Sequence, residues 1–269
     1  MVAVSLDQLL EPIRDGVLVA VPPDYGGVAM AATRALIRRG ARNLRLVALP
    51  QSGLQAELLI GTGIVVEIET AAVTLGEAGT GPRFAAALGA GTLRIKDATC
   101  PALHAGFQAA EKGVPFMPLR GLIGSDLLKV RPDWQVIDNP FQPGDPIALI
   151  PAIRPDVALF HAPMADRHGN VWIGKRRELV TLAHASAETI VTVDRIFEGD
   201  LLEDDILAAG TLPALYVSRI AVAEEGTRPL PSATEPVDLA HIQEYARMAR
   251  TDAGFAAYLD RFVWASRAA

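Results

Sequence analysis

One arginine lies within an apolar, proline-stiffened segment, Pro115-Phe-Met-Pro-Leu-Arg-Gly-Leu-Ile-Gly-Ser-Asp126. A guanidinium is costly to desolvate without a partner, so Arg120 must meet a carboxylate, a phosphate or a bound substrate. An internal salt bridge and anion recognition both remain open. The residues Gly124-Ser125-Asp126 either present N–H groups and a hydroxyl to an oxyanion or cap a helix that begins at Leu127.

A carboxylate within a glycine-rich segment is a second candidate. Glu77 lies in Leu75-Gly-Glu-Ala-Gly-Thr-Gly81, where the missing side chains allow a ligand to approach closely. The carboxylate could serve as a nucleophile or as an acid/base group. The alternative, an exposed loop glutamate, is favoured by the sequence alone.

The remaining candidates are histidines, an asparagine and one cysteine. His161, His168 and Asp166 could be metal ligands, but no HExxH motif or cysteine pair completes a set, and we predict no metal site. The segment Asp166-Arg-His-Gly-Asn170 predicts a tight turn with Gly and Asn in left-handed backbone, where His168 either contacts a ligand or is solvated. Cys100 begins a helix; a small residue packed beneath that helix is favoured over a catalytic thiol.

Composition excludes several classes of protein. The 269 residues include 25 Lys and Arg against 31 Asp and Glu, for a net charge of −6, which argues against nucleic-acid binding. One cysteine cannot form an intrachain disulfide, and no apolar run approaches the ~18 residues that a membrane span needs. We therefore expect a cytoplasmic protein with no membrane partner. The phosphate-binding glycine motifs and the Gly-x-Ser-x-Gly hydrolase motif are absent from the sequence.

Apolar β-branched runs alternate with helical segments, which predicts a mostly parallel open sheet in a three-layer α/β/α fold. Three parallel crossovers are expected before residue 112, and residues 113–144 are expected to form a long ordered loop. Strands are predicted at 17–21, 44–49, 64–68, 93–96, 147–150, 157–161, 189–193 and 214–217. Helices are predicted at 5–15, 28–39, 53–60, 101–112 and 177–185, and the glycine-rich segment 75–84 leads into an alanine-rich helix that Gly89 and Gly91 terminate. We expect one domain over 1–269, with a C-terminal helical extension at about 237–265.

Taken in chain order, these segments resemble the α (A) subunit of class I CoA-transferases. Their sequence pattern is most similar to that of the glutaconate CoA-transferase A subunits. The resemblance covers roughly residues 10–220. The matching segments are Asp15-Gly-Val-Leu-Val-Ala20, Leu75-Gly-Glu77 to Arg83-Phe84, Gly113 to Asp126, Pro151 to Ala158 and Asp166 to Val171. The resemblance implies the open α/β/α fold of these enzymes and obligate pairing with a B (β) subunit, as αβ or (αβ)2. Coenzyme A would be a substrate, with no permanently bound cofactor.

In such enzymes the B subunit supplies a glutamate that attacks the acyl-CoA and then carries CoA as a thioester. By match to the family motif, Arg120 would bind a distal carboxylate of the acyl group. Gly124, Ser125 and Asp126 would shape the acyl pocket, and His168 and Asn170 would contact the substrate. Glu77 is a weak nucleophile candidate within this chain.

Two departures accompany the resemblance. Many A subunits carry a Gly-Gly-Phe turn after the first strand, where this sequence has Pro22-Pro-Asp-Tyr-Gly-Gly27. Steroid-ring hydrolases of the same fold use a glutamate at a position that falls near Cys100, where no glutamate occurs. Acyl-CoA or β-diketone hydrolysis is the alternative activity. A sugar-phosphate isomerase or ligand-sensing module is the alternative of another class.

Overall fold

The first half of the chain alternates strands and helices, as predicted. A computed structural model describes residues 3–265. The elements are α1 (Leu6–Leu9), β1 (Leu18–Val21), α2 (Met30–Arg39), β2 (Leu44–Ala48), α3 (Leu54–Gly61), β3 (Val65–Thr70), α4 (Pro82–Gly89), β4 (Arg94–Asp97) and α5 (Cys100–Glu111). Because β1, β2, β3 and β4 pair in parallel in that order, the three expected crossovers are confirmed.

Local signals set the ends of these elements. Ser5 and Gln8 form a capping box at the start of α1, and Gly40 ends α2 in left-handed backbone, with φ of 74°. The Thr99 hydroxyl accepts from the N–H of Ala102 at the start of α5. Helix α1 is shorter than predicted, because after Leu9 the chain turns through residues 10–12 instead of continuing to Gly16.

The prediction of a loop over residues 113–144 is wrong. This region contains β5 (Phe116–Leu119), α6 (Leu127–Val130) and β6 (Gln135–Asp138). Together with β7 (Pro146–Pro151), these strands form a small antiparallel sheet in the order β5-β7-β6. The prolines hid the strand pattern, but they are compatible with edge strands, where an N–H is not required on the open side.

The second half completes the main sheet. Its elements are β8 (Val157–Asp166), β9 (Val171–Trp172), α7 (Arg177–Ala185), β10 (Glu188–Phe197), β11 (Thr211–Leu212) and β12 (Arg219–Val222). The predicted strand at 214–217 is wrong, since Ala214–Tyr216 is a 3-10 turn and the strand lies five residues later. A short apolar run does not distinguish these structures, and the pairing of β12 with Ile190–Val193 of β10 decides between them.

The main sheet has the parallel order β4-β3-β2-β1-β8-β10-β12, and β9 and β11 extend it antiparallel from the end of β8. Alternate residues of β1 enter different cores: Val19 and Val21 pack with α1, α2, α3 and the C-terminal helices, whereas Leu18 and Ala20 pack with α5, α7 and the small sheet. Helices therefore cover both faces, which confirms the predicted three-layer fold.

The C-terminal segment forms two helices instead of the single predicted one. Helix α8 (Leu239–Met248) has Asp238 as its N-cap, and α9 (Asp252–Leu259) continues into a π-helical turn at Asp260–Trp264. The break occurs because Thr251 caps α9, with its hydroxyl accepting from the N–H of Gly254. Among the helices of residues 3–265, none has the length and apolar character to cross a membrane.

Candidate active site

The order of the strands creates a crevice at the centre of the main sheet. From β1 the chain builds outward through β2, β3 and β4, and it then returns to place β8 on the other side of β1. In open parallel sheets, ligands bind beyond the carboxyl ends of the strands at such a switch point. The crevice therefore lies between the loop after β1 and the distal half of β8.

A cavity of about 420 Å³ occupies this crevice, and we call it the switch-point cavity. Gly26 and Gly27 form one side. Since a Cβ on Gly27 would collide with the carbonyl oxygen of His161, and since the Gly27 φ is +89°, this position requires glycine. Trp172, Ile173 and Leu179 provide apolar walls, and the segment from Thr227 to Ala233 borders the opening.

The floor of the switch-point cavity holds a buried histidine and a carboxylate from neighbouring strands. His161 of β8 is 3% exposed, and its Nδ1 lies 2.9 Å from Thr192 Oγ1 on β10. Its Nε2 lies 3.3 Å from Asp194 Oδ1 without hydrogen-bond geometry, and neither atom has a hydrogen-bond partner among the described residues. Burial acts to raise the pKa of Asp194, but His161 and the N–H groups of Glu225 and Gly226 hold it below its ordinary value.

Two basic residues form the rim of the same cavity. Lys175 and Arg176 directly precede α7, and the Arg176 guanidinium lies 5.5 Å from the centre of the Tyr25 ring. No side chain caps the N-terminus of α7, whose positive dipole end adds to these charges. With apolar walls below a cationic rim, the cavity suits a ligand that has an apolar body and a negative charge.

The loop after β1 is anchored to the next crossover by a buried aspartate. Asp24 Oδ1 accepts from the N–H of Gly53 at 3.0 Å, and Oδ2 accepts from Leu54 at 3.1 Å, at the start of α3. A Cβ on Gly53 would collide with the Asp24 carboxylate, so close packing fixes the loop at this point. Burial raises the pKa of Asp24 to about 6, although the two N–H groups act in the opposite direction.

We expect Asp24 to make the stability of the protein depend on pH. Its pKa is higher in the folded chain than in the unfolded chain, so its contribution to the free energy of unfolding falls as pH rises from about 4 through about 6. Unfolding of the native protein and of Asp24→Asn should be followed with denaturant across this range. The difference between the two curves should vary with pH; a constant difference would contradict the raised pKa.

Arg120 forms an internal salt bridge in the structure. Its Nε lies 2.9 Å and its Nη2 lies 2.5 Å from the two carboxylate oxygens of Asp145, which also accepts from Asn139 Nδ2. The hydrogen bonds from Arg120 and Asn139 hold the pKa of Asp145 below its ordinary value. The Arg120 side chain is 65% exposed, so the paired guanidinium stays accessible from solvent.

The residues after Arg120 show the capping arrangement. Helix α6 begins at Leu127, and Ser125 Oγ accepts from the N–H of Leu127 at 3.2 Å. Gly124 has φ of +84°, and the Asp126 carboxylate pairs with Lys129 at 2.6 Å. The Ser125 hydroxyl is therefore directed to the helix.

The predicted turn at 166–170 is built around a buried carboxylate. Asp166 accepts hydrogen bonds from the N–H groups of His168, Asn170 and Leu201 and from the Asn170 side chain. Gly169 is left-handed as predicted, with φ of 95°, whereas Asn170 is not. Asn170 Oδ1 accepts from the N–H of Ala214, so the oxygen and the nitrogen of the Asn170 side chain both form hydrogen bonds within the protein. The half-exposed His168 lies 3.8 Å from Asp200.

Two weaker candidates lie away from the switch-point cavity. Glu77 is exposed in a 3-10 turn, Gly76–Ala78, after β3. Cys100 is the first residue of α5, as predicted, but the interpretation that it packs beneath the helix is wrong because its side chain is exposed. Within residues 3–265, no group of three or more His, Cys, Asp and Glu side chains could hold a metal ion.

The cavity residues that sequence reasoning misses come from distant positions. The sequence presents His161 only as a possible metal ligand, and it does not single out Asp194, Arg176 or Tyr25. The available signal is their position: Tyr25, His161 and Asp194 end or follow predicted strands, and Arg176 directly precedes the predicted helix 177–185. The missing fact is that β8 lies between β1 and β10.

The fold and this site describe an α/β protein with a cavity for an acidic ligand at its switch point. The chain belongs to the coenzyme A transferase family, whose sequence profile matches residues 4–223. The predicted family and fold are thereby confirmed.

Individual relatives cover most of the chain. It is 31% identical to the A chain of 3-oxoadipate CoA-transferase from Pseudomonas knackmussii, over 93% of this chain and 89% of that protein. It is 28% identical to the corresponding A chain of glutaconate CoA-transferase from Acidaminococcus fermentans, over 87% and 78%. An uncharacterized protein of Archaeoglobus fulgidus is 31% identical over 94% of this chain, which spans only 57% of that longer protein.

Solved structures are similar over nearly the whole chain. Glutaconate coenzyme A-transferase from Acidaminococcus fermentans matches 98% of this chain and 89% of its own, with a TM-score of 0.90 and 25% identity. The decarboxylase AibA/AibB matches 98% of both chains, with a TM-score of 0.86 and 29% identity.

Proposed function

We propose that the chain is the A subunit of a two-subunit CoA-transferase, which moves coenzyme A from an acyl-CoA to a free carboxylic acid. The observation that carries this proposal is the match to glutaconate CoA-transferase over 98% of the chain, together with two curated relatives that are themselves A subunits. Coenzyme A is a substrate in this proposal and no resident cofactor takes part. The cytoplasm is the proposed location, which suits a chain with one cysteine.

The chemistry proceeds by covalent catalysis on a carboxylate of the partner B subunit. That carboxylate attacks the thioester, forming an acyl anhydride and releasing CoA as a thiolate. The thiolate then attacks the enzyme's own acyl carbon, which releases the first acid and leaves an enzyme–CoA thioester. The acceptor acid reverses these two steps with its own carboxylate.

This chain would supply the second wall of the cleft. The switch-point cavity has apolar walls for the acyl chain, and Lys175 and Arg176 for a negative charge. Asp194 borders the same cavity, and its carboxylate, 3.3 Å from His161 Nε2, is placed to contact the substrate. A nucleophile from the partner is consistent with this arrangement.

Co-purification with a B subunit, followed by borohydride treatment, tests this proposal. Borohydride reduces an enzyme–CoA thioester, so activity should be lost only after exposure to acyl-CoA, and the modified residue should lie in the partner. Direct hydrolysis, the activity of the 28% identical ring-cleaving hydrolase subunit of Rhodococcus jostii, would leave the enzyme insensitive to this treatment. The absence of a glutamate near Cys100 argues against that alternative.

Arg120 provides a test of substrate charge. Because its guanidinium is accessible, we predict that Arg120→Ala lowers kcat/KM for acidic acyl-CoA substrates by about tenfold or more and changes neutral ones by about twofold or less. Lys112→Ala removes an exposed charge at the end of α5 and serves as the control. Equal losses of kcat/KM on acidic and neutral substrates would show that Arg120 does not recognise the charge of the acyl group.

A further inference from the structure

A second cavity lies on the helical face of the fold, between α2, the segment from Arg228 to Asp238, and the C-terminal helices. Its volume is about 600 Å³, and Arg34, Tyr258 and Phe262 are among its walls. We call it the Arg34 cavity. It shares no lining residue with the switch-point cavity and contains none of the site residues predicted from the sequence.

Arg34 has no carboxylate partner among the described residues. Its Nη1 donates to the carbonyl oxygen of Arg228 at 2.9 Å, and within residues 3–265 no carboxylate oxygen lies within 4.0 Å of its guanidinium. Burial lowers the pKa of Arg34, which shows that its surroundings disfavour the charge. A guanidinium carries five N–H donors, so most of them remain available for an anion.

The other arginines of this cavity are paired. Arg228 contacts Glu225 at 3.3 Å and Glu235 at 2.6 Å, and Arg261 contacts Glu244 at 2.8 Å. Both arginines therefore have carboxylate partners within the protein. Among the three lining arginines, Arg34 is therefore the one without a carboxylate partner in residues 3–265; the exposed Asp238 carboxylate also lines the cavity and accepts from the N–H of His241.

Aromatic rings form part of the wall: the half-buried Phe262 is accessible to a ligand, and Tyr258, which packs against it, is 2% exposed. Tyr258 and Phe262 lie 4.7 Å apart between ring centres, and His241 Nε2 is 2.7 Å from Tyr258 Oη. Burial lowers the pKa of His241 from its ordinary value, so the imidazole is neutral at about pH 7. Pro229 and Leu230 add apolar surface. Such walls favour a flat, apolar group.

We propose that the Arg34 cavity binds a small organic anion, with its carboxylate or phosphate paired with Arg34 and a planar body packed on Phe262. Arginine forks bind the oxygens of both anionic groups, and a cavity of 600 Å³ is within the range of small-molecule sites. This inference goes beyond the proposed function and does not depend on it.

Calorimetric titration of the full chain with four probes tests the site. Benzoate has a carboxylate attached to a planar ring, and adenosine monophosphate has a phosphate attached to a nucleoside with a planar base. Acetate and inorganic phosphate carry the same anionic groups without a planar ring. We expect one or both of the larger probes to saturate the protein and to bind about tenfold or more tightly than the small anion of the same charge type. Binding of benzoate alone identifies a carboxylate site, and binding of the nucleotide alone identifies a phosphate site.

A charge-removing variant and a matched control assign the binding to Arg34. Arg34→Gln should weaken the bound probe by about tenfold or more, whereas Arg247→Gln, at an exposed position on α8, should leave its affinity unchanged. If Arg34→Gln does not fold, the Arg34 Nε–H resonance of the native chain should still shift during the titration. Equal affinity in Arg34→Gln, an unmoved resonance, or no saturable binding of either larger probe would overturn the proposal.

Discussion

Replacing Asp166 with alanine is expected to lower the melting temperature by about 10 °C. The side chain is 1% exposed, and its two oxygens accept four hydrogen bonds. Burial acts to raise the pKa of Asp166, but the N–H of Leu201 and the Asn170 side chain, with other N–H groups, hold it below its ordinary value. The carboxylate is thus ionised in the folded protein, and its loss would leave several buried donors unpaired at about 3 kcal/mol or more.

Thermal unfolding of three variants measures this effect. Asp166→Asn keeps one acceptor oxygen, so its melting temperature should lie between those of the native protein and Asp166→Ala. Asp205→Ala removes an exposed carboxylate from the same half of the chain and should change the melting temperature little. If Asp166→Ala had the same melting temperature as Asp205→Ala, the stability of the turn would not depend on the Asp166 carboxylate.

Replacing Glu57 with alanine is expected to loosen the attachment of the C-terminal helices. This fully buried carboxylate of α3 accepts from the N–H groups of Arg83 and Phe84, at 3.0 and 2.6 Å, and from the Tyr245 hydroxyl at 2.9 Å. Burial raises its pKa, and these same bonds act against that increase. We expect a loss of about 3 kcal/mol, since donors at the start of α4 and on α8 lose their common acceptor.

Hydrogen exchange should locate the effect of Glu57→Ala in α4 and α8. Tyr245→Phe removes one of the three bonds and should lose only about 1 kcal/mol, with faster exchange confined to α8. Arg83 also holds this region, through Asp252 and the carbonyl oxygen of Ala249. Uniform exchange changes across the chain would contradict a local anchoring role for Glu57.

The elements that sequence reasoning predicted well are those whose signals are local. Ser5 and Gly40 act within a few residues of the helix ends that they define, and the apolar runs of β1, β2 and β3 are mostly buried. Parallel crossovers follow from such a pattern with few alternatives. This is why the first half of the fold could be predicted in detail.

The failures depend on contacts between distant residues. Strands β5 and β6 are only four residues long and become visible through pairing with β7, up to 35 residues along the chain. The partner of Arg120, Asp145, lies 25 residues away. Likewise His161 and Asp194 meet only because β8 and β10 are neighbours. No periodicity within one segment carries this information.

The central claim is that this chain forms half of an active site whose nucleophile belongs to a partner. It is tested most directly by measuring CoA transfer from succinyl-, glutaryl- or acetyl-CoA to a free acid, using this chain by itself, the B subunit by itself and their co-purified complex. We predict that only the complex forms the new acyl-CoA, in amounts equal to the acceptor consumed. Full activity of this chain by itself, or release of free CoA without a new acyl-CoA from every donor, would contradict the account.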